Sequence, residues 1–326
     1  MLLTQFLIIT ILLLIIEILY IPIARRYNIG NDVTPRSSHN KFQVIGGGII
    51  FYFAALLYCF MQNNNLSSSF NLMIIGASLL ALISFYDDIK NTSPLIRLLI
   101  HIIVVAITFS QILFNGNYDI YLLFLICGVG FINAFNFMDG VNGMLVGYTL
   151  VTLTTILYCT TEFITNNAEL QLFVIVLIIA TSIFGLFNFR KKALCFSGDV
   201  GSIVMGFFIL YLMTELILTT SKSSMIIFLI VYAIDSVFTI FQRLFAGENI
   251  FTPHRLHLYQ ILANQCEIPH YRIAIYYSIV QLLINIGYLL IVPELKWSYF
   301  IIITILLIVI YFTIKRTLKN KNTENI

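Results

Sequence analysis

Apolar runs of about 20 residues recur along almost the whole of this 326-residue chain. A helix needs about 20 mostly apolar residues to cross the hydrocarbon core of a bilayer. The runs are continuous and rich in Leu and Ile, whereas the strands of a membrane β-barrel alternate with a period of two. The sequence therefore predicts an all-α, polytopic transmembrane helical bundle of about eleven spans. They lie near 2–24, 44–62, 70–86, 95–114, 119–135, 143–161, 169–187, 201–220, 225–243, 273–292 and 298–314.

The composition supports this fold class. Hydrophobic residues make up 60% of the chain and charged residues 10%, against about 45–50% and about 25% in soluble domains. No polar stretch is long enough for a second core, so we expect one integral-membrane domain over residues 1–326. The five cysteines are scattered, without a CxxC pair, and fit small buried hydrophobes better than a disulfide or zinc framework.

Basic residues predict the orientation of the bundle. With eleven spans, all of the 18 Lys and Arg residues except Lys222 and Lys296 fall on one side. By the positive-inside rule that side is cytoplasmic. We expect the N-terminus outside, as a retained first helix and not a cleaved signal peptide, and the C-terminus in the cytoplasm.

Three acidic clusters interrupt the apolar pattern, at Asp87-Asp88, at Asp139 and at Asp199. Carboxylates beside hydrocarbon are costly, so a functional role is their default interpretation. The predicted topology places all three clusters on the cytoplasmic side. Several carboxylates on one membrane side indicate a site for a divalent cation and a phosphorylated substrate.

The middle cluster carries the most specific pattern. Asn133 and Asn136 are one helical turn apart, and Asp139 and Asn142 follow where glycines end the helix. Amide donors with a carboxylate suit a nucleotide base, a ribose or a sugar. A helix cap is the alternative; it accounts for Asp139 beside Gly140 but not for the asparagines.

The other two clusters allow two interpretations each. Adjacent helical residues point about 100° apart, so Asp87 and Asp88 can serve two tasks, or can form a solvated helix end paired with Lys90. Asp199 lies between glycines at the start of an apolar helix. It fits a Mg²⁺ ligand or an N-cap.

Further polar groups lie in the predicted inner loops. His254, Arg255 and His257 favour a phosphate clamp over a metal site, because Mg²⁺ prefers oxygen ligands. Lys41, before a run of three glycines, is a weaker candidate for a phosphate contact. Asp235, inside the ninth span, fits a buried structural acid as well as a site residue.

In this order, the motifs resemble those of the polyprenyl-phosphate N-acetylhexosamine-1-phosphate transferases, glycosyltransferase family 4, which includes WecA, TagO, WbpL and MraY. The resemblance rests on Asp87-Asp88, Asn133-Ala-Phe-Asn136-Phe-Met-Asp139-Gly140, Gly198-Asp199-Val-Gly201-Ser202 and His254-Arg255-Leu256-His257. It extends from about Arg36 to His257, which is most of the chain.

The resemblance implies a Mg²⁺-dependent enzyme, with Mn²⁺ as an alternative, in the bacterial inner membrane with its active site facing the cytoplasm. It would transfer GlcNAc-1-phosphate, or a related N-acetylhexosamine 1-phosphate, from a UDP-sugar to undecaprenyl phosphate, releasing UMP and starting cell-envelope glycan synthesis. Asp199 would be the metal ligand and, with Asp87 and Asp88, catalytic. The implied substrate-binding residues are Lys41, Asn133, Asn136, Asp139, Asn142, Asn188, His254, Arg255 and His257.

The triple-His motif of MraY is absent, and Asn142 stands where MraY usually has Asp. This favours the WecA and WbpL side over phospho-MurNAc-pentapeptide transfer, which stays as an alternative. A secondary transporter is the alternative from another class, since intramembrane acids and broken helices also mark ion pathways. We expect membrane lipid and both substrates as partners and no nucleic acid. The sequence leaves a homodimer, the donor sugar, the pathway and a one-step or covalent mechanism open.

Overall fold

The structure is a computed structural model that describes residues 2–31, 42–62, 66–90, 92–110, 118–164, 168–249, 252 and 254–324. Its helices are α1 Leu2–Arg26, α2 Ile49–Met61, α3 Ser68–Lys90, α4 Pro94–Thr108, α5 Tyr118–Met138, α6 Met144–Phe163, α7 Ala168–Asn188, α8 Gly198–Thr220, α9 Ile230–Phe245, α10 Leu258–Asn264, α11 His270–Leu290 and α12 Lys296–Glu324. Short 3₁₀ turns cover Ser223–Leu229 and Pro293–Leu295, and the strands β1 Gly30–Asn31 and β2 Gln43–Val44 pair antiparallel.

The predicted class, an all-α polytopic membrane bundle, is confirmed. In the described part of the chain, nine helical segments are long and apolar enough to cross a bilayer. The predicted spans 44–62 and 95–114 correspond to α2 and α4, which are shorter, at 13 and 15 residues. Helix α2 begins later than predicted because residues 43–48 form a strand and a glycine turn. Helix α4 starts at Pro94, a favoured first residue of a helix, and ends at Thr108; residues 111–117 lie outside the described part of the chain. The count of eleven and the sidedness of the termini stay predictions.

Helix α8 forms the centre of the bundle. It packs against α2, α3, α5 and α6, and nearly all of its residues from Val200 to Met213 are fully buried. Helices α1 and α12 lie at the periphery and present rows of exposed apolar side chains, as a lipid-facing surface does. The N-terminus of the central helix is therefore buried in protein, where its free N–H groups need acceptors.

The loop before α2 is fitted closely onto the start of α8. Phe196 donates its N–H to the Val44 carbonyl at 2.8 Å, and Gly48 donates to the Ser197 carbonyl at 3.0 Å. A Cβ on Gly48 would lie 2.3 Å from the Gly201 Cα, a clash that backbone cannot relieve. The glycine run therefore lets a loop pack directly against the first turn of α8.

The ends of three other helices meet at the N-terminal end of α8. Helix α3 ends just after Asp88, α5 ends just before Asp139, and α4 starts at Pro94, so the three acidic clusters converge. The convergence of segments far apart in sequence is what the sequence predicted. Helix α10, inside the predicted inner stretch 244–272, was not predicted.

Candidate active site

Asp88 supplies the acceptors that the buried N-terminus of α8 requires. Its carboxylate accepts the N–H of Asp199 at 2.8 Å and the N–H of Val200 at 3.1 Å. Ser197, at the N-cap position, makes no side-chain capping bond. A carboxylate at this end of a helix is also favoured by the helix dipole. Asp88 is thus a capping group supplied by a neighbouring helix, and Asp199 is the residue positioned by it.

Asp87 is held by groups on the start of α4. It accepts a hydrogen bond from the Thr92 hydroxyl at 2.6 Å and one from the Thr92 N–H, and it forms an ion pair with Arg97. It is buried and lines neither of the two cavities described below. Its predicted catalytic role stays a prediction; its contacts are those of a positioning group.

Arg97 links two of the acidic clusters. Its Nη1 contacts the Asp87 carboxylate and lies 2.6 Å from Asp199 Oδ2. One guanidinium therefore offsets the repulsion between two carboxylates at the start of α8. His101, one turn further along α4 and fully buried, lies 3.2 Å from the amide of Asn133.

Asp139 lies in the loop between α5 and α6, against the start of α8. It accepts a hydrogen bond from the Ser197 hydroxyl, while Asn136 accepts one from the Ser202 hydroxyl at 2.7 Å. Burial raises the pKa of Asp139 to about 7; the Ser197 hydroxyl opposes this rise and the nearby Asp199 carboxylate adds to it. A bound cation would favour the ionised form of this acid.

Two cavities meet at these residues. The smaller, of about 250 Å³, is lined by polar groups that include Asp88, Asn142 and Asn188, and His270 reaches it from α11. The larger, of about 670 Å³, has an apolar wall from α4, α5, α8 and α9 and a polar end at His254 and His257. Both are lined by Asn136, Asp139, Gly140 and Asp199.

Two of the predicted ligand-binding amides have structural partners. Asn188 accepts the Gly143 N–H at 2.8 Å and donates to the Cys195 carbonyl at 3.0 Å. Asn142 donates to the Arg190 carbonyl at 3.1 Å and is buried. Each lines the smaller cavity, so each can shape it while it holds the loops in place.

Only some of the predicted residues in the loop before α10 line a cavity of the site. His254 and His257 line the larger cavity, but Arg255 is exposed and lines neither. Burial lowers the pKa of His254 to about 4, and His257 and Arg243 add to the fall. His254 is therefore neutral at pH 7 and contributes hydrogen bonding, not charge, to a phosphate site. Lys41 lies outside the described residues.

Asp235 has a structural role, one of the two left open by the sequence. It accepts the N–H of Leu258 at 2.8 Å and that of Tyr259 at 3.3 Å, and so caps α10. The Tyr277 hydroxyl donates to it at 2.7 Å, and His257 Nδ1 lies 3.5 Å away. The buried acid thus fixes the loop that brings His257 to the cavity.

Comparison with known proteins agrees with this geometry. Residues 70–217 match the family model described as glycosyl transferase family 4, and this range holds all three acidic clusters and Arg97. The chain is 24% identical to the undecaprenyl-phosphate alpha-N-acetylglucosaminyl 1-phosphate transferase of Escherichia coli O157:H7, over 91% of this chain and 86% of that protein. The family model and the relatives together support the polyprenyl-phosphate N-acetylhexosamine-1-phosphate transferase superfamily for this chain.

Members of both main branches are similar to this transferase. A probable undecaprenyl-phosphate N-acetylglucosaminyl 1-phosphate transferase of Bacillus subtilis is 23% identical over 70% of this chain and 67% of that protein. A phospho-N-acetylmuramoyl-pentapeptide-transferase of Dictyoglomus thermophilum is 26% identical over 82% of this chain and 90% of that protein. The protein is thus a membrane-integral transferase with bacterial relatives.

No complete protein cage for a metal is present among the residues described: no group of three or more His, Cys, Asp or Glu side chains is arranged to hold one. Mg²⁺ differs from metals held in such cages, because it binds through one or two carboxylates, waters and substrate phosphates. Asp199 and Asp139, with the Asn136 amide, line both cavities and form an all-oxygen donor set of this kind. The residues present therefore fit Mg²⁺.

Sequence reasoning missed Arg97, which it counted only as an inner-side charge. A signal was present: Arg97 follows Pro94 by three residues, within the first turn of an apolar helix and next to the acid-bearing loop. Ser197 and Ser202 were quoted within the motif but were not assigned a role. Their hydroxyls donate to Asp139 and Asn136, so both orient predicted site residues.

Replacing Asp88 tests its capping role. Asp88→Ala should lower the free energy of unfolding by about 1–3 kcal/mol without any substrate, because two part-buried N–H groups lose their acceptor. Thermal unfolding of the purified protein in detergent measures this. Asp119→Ala, which removes an exposed acid, should change stability by less than about 0.5 kcal/mol. Equal stabilities of the two variants would contradict the capping role.

Proposed function

We propose that this protein transfers GlcNAc-1-phosphate, or a related N-acetylhexosamine 1-phosphate, from a UDP-sugar to undecaprenyl phosphate. The observation that carries the proposal is the pair of cavities, one polar and one largely apolar, with a common wall of Asn136, Asp139 and Asp199. A reaction between a water-soluble donor and a lipid acceptor needs such a meeting point. The functions printed for the relatives from E. coli and B. subtilis support the same reaction.

The larger cavity suits the acceptor. Leu98, Ile126 and Ile203 belong to its apolar wall, and Ile126 is 64% exposed on the lipid-facing surface. A polyprenyl chain can therefore stay among the lipids while its phosphate reaches Arg97 and Asp199. The smaller cavity suits the donor, because polar groups line it and its carboxylates can hold the donor diphosphate through a divalent cation.

The proposed reaction joins two anions, so the protein must first offset their repulsion. An oxygen of the lipid phosphate attacks the β-phosphorus of the UDP-sugar, the bond from that phosphorus to the bridging oxygen breaks, and UMP leaves. Arg97, which lines the larger cavity, lowers the electrostatic cost, and the two adjoining cavities hold the reacting groups in line. Mg²⁺ bound through Asp199 would neutralise phosphate charge.

The contacts of Asp87 favour a one-step reaction over a covalent one. Its carboxylate is engaged by Thr92 and Arg97 and lines neither cavity, so it is poorly placed to attack phosphorus. A lipid phosphate is already ionised near neutral pH and needs no general base. Because the sugar C1–O bond is kept, the anomeric configuration is retained.

The position of the acids also weighs against a transporter. Asp88, Asp139 and Asp199 lie at helix ends and not within the middle of the spans, whereas transporters place their sites near the midplane. The bias of basic residues supports a position of this end of the bundle at the cytoplasmic side of a bacterial inner membrane. The product would there start lipid-linked glycan synthesis for the cell envelope.

UMP release by the purified protein, with undecaprenyl phosphate, Mg²⁺ and a panel of UDP-sugars, tests the reaction. We expect release with at least one N-acetylhexosamine donor and a loss of at least about 100-fold in Asp199→Ala, because the main transition-state charge is no longer offset. Asp119→Ala, outside the site, should keep its activity. Near-wild-type incorporation of labelled sugar into lipid by Asp199→Ala would refute the role of Asp199.

Filling the larger cavity tests which substrate it holds. Gly130 lines that cavity, and a Cβ there would meet no atom within 4 Å. Gly130→Leu should raise the KM for undecaprenyl phosphate about tenfold, equivalent to about 1.4 kcal/mol, and leave that for the UDP-sugar within about twofold. Steady-state kinetics with each substrate varied in turn measure both. Gly130→Ala is the matched control, and a larger rise in the donor KM would contradict the assignment.

A further inference from the structure

Two lysines lie at the membrane face opposite the active site. Lys222 follows the C-terminal end of α8, and Lys296 begins α12. Helices α6 and α8 both start at the active site and end at this face, and the 23 residues of α8 span about 35 Å. The lysines are also the two basic residues that the sequence pattern assigns to the outer side of the membrane.

Both ammonium groups lie against the same aromatic ring. The Nζ of Lys222 is 4.1 Å from the centroid of the Phe163 ring, and that of Lys296 is 5.7 Å from it. Lys296 also lies 4.6 Å from the centroid of the Tyr288 ring. Phe163 ends α6 and Tyr288 lies near the end of α11, so the ends of four helices meet around two positive charges.

Neither charge has an anionic partner in the part of the chain that the structure describes. The ion pairs found there involve Arg97, Arg243 and His257, and no carboxylate lies within 4.0 Å of either ammonium. Aromatic rings attract cations, but a ring carries no net charge and does not cancel the repulsion between two ammoniums.

The side chain of Lys296 is buried although it lies at a membrane interface. Lysines at membrane interfaces normally extend their charged ends to the aqueous phase, whereas Lys296 is only 7% exposed. Its surroundings belong to the lipid-facing surface: Trp297 and Leu295 beside it are 52% and 50% exposed. An anion that satisfies Lys296 must therefore reach it from the membrane interface.

We propose that Lys222 and Lys296 bind the phosphate of an anionic lipid headgroup, of the phosphatidylglycerol type. Its acyl chains lie along the exposed apolar side chains near the start of α12, and its phosphate bridges the two ammoniums beside Phe163. The lipid thereby joins the ends of α6, α8 and α11 to α12. The bound lipid stabilises the packing of α12 more than that of the other three helices, because few side chains of α12 are otherwise buried.

Thermal unfolding of the purified full-length protein in detergent tests this site. Phosphatidylglycerol should raise the Tm of the wild type by about 3–5 °C, as expected for a ligand that binds only the folded state. Phosphatidylcholine with the same acyl chains should give a smaller rise. In the double variant Lys222→Gln, Lys296→Gln, the difference between the two lipids should disappear.

Two further variants separate this site from general attraction between lipid and protein. Lys191→Gln, Lys192→Gln removes the same charge from exposed positions at the active-site end, and it should keep the phosphatidylglycerol response. The double variant Lys222→Arg, Lys296→Arg keeps both charges and should also keep the phosphatidylglycerol response. Loss of the response in this Arg variant would contradict binding by charge. Native mass spectrometry of the wild type and the Gln variant should show one phosphatidylglycerol fewer on the variant.

The proposal is overturned if the Gln variant keeps the full phosphatidylglycerol response. It is also overturned if phosphatidylcholine stabilises the wild type equally, because the headgroup charge would then be irrelevant. A rise of the same size with inorganic phosphate alone would overturn the assignment to a lipid.

Discussion

The buried N-terminus of α8 is the constraint on which the site depends. A central helix whose first turn is packed against other helices has N–H groups that need acceptors from the protein. Asp88 meets this requirement from α3, 111 positions away in sequence. The cap fixes the first turn of α8, and with it Asp199, at the point where the two cavities meet. Structure and chemistry therefore use neighbouring polar groups. Asp88 completes the helix, and the Asp199 carboxylate that it positions lies beside Arg97, where the proposed cation and phosphates would bind.

This arrangement divides the acidic residues by role. Asp88 holds a helix, Asp87 holds Arg97, and Asp235 holds the loop of His257. Asp139 and Asp199 remain as the carboxylates that line both cavities. Arg97 connects the two kinds of residue, since it contacts Asp87, which has a positioning role, and Asp199, which lines the cavities. Two adjacent aspartates thus support Asp199, one directly and one through Arg97, and Asp199 is the carboxylate proposed to bind the metal.

Local sequence patterns were enough for most of the long helices and for the three acidic clusters that converge at the start of α8. Gly140 and Gly143 predicted the break between α5 and α6, and the glycines around Asp199 predicted the start of α8. The separate roles of Asp87 and Asp88 were not predictable, because each depends on a partner brought close only by tertiary packing. Arg97 was overlooked for the same reason, as Asp199 is 102 positions away. The glycine run 46–48 carried no assigned role in the sequence, and the close approach of Gly48 to Gly201 shows that it serves packing.

The central claim is that Asp199 brings a divalent cation and a nucleotide diphosphate together at the start of α8. Electron–nuclear double resonance of the purified protein with Mn²⁺ and UDP tests this most directly, because coupling to ³¹P reports metal-bound phosphate. We predict one protein-bound Mn²⁺ with ³¹P coupling in the wild type, and loss of this signal in Asp199→Ala while the folded protein is retained. An unchanged ³¹P signal in Asp199→Ala, or no bound Mn²⁺ in the wild type, would contradict the account.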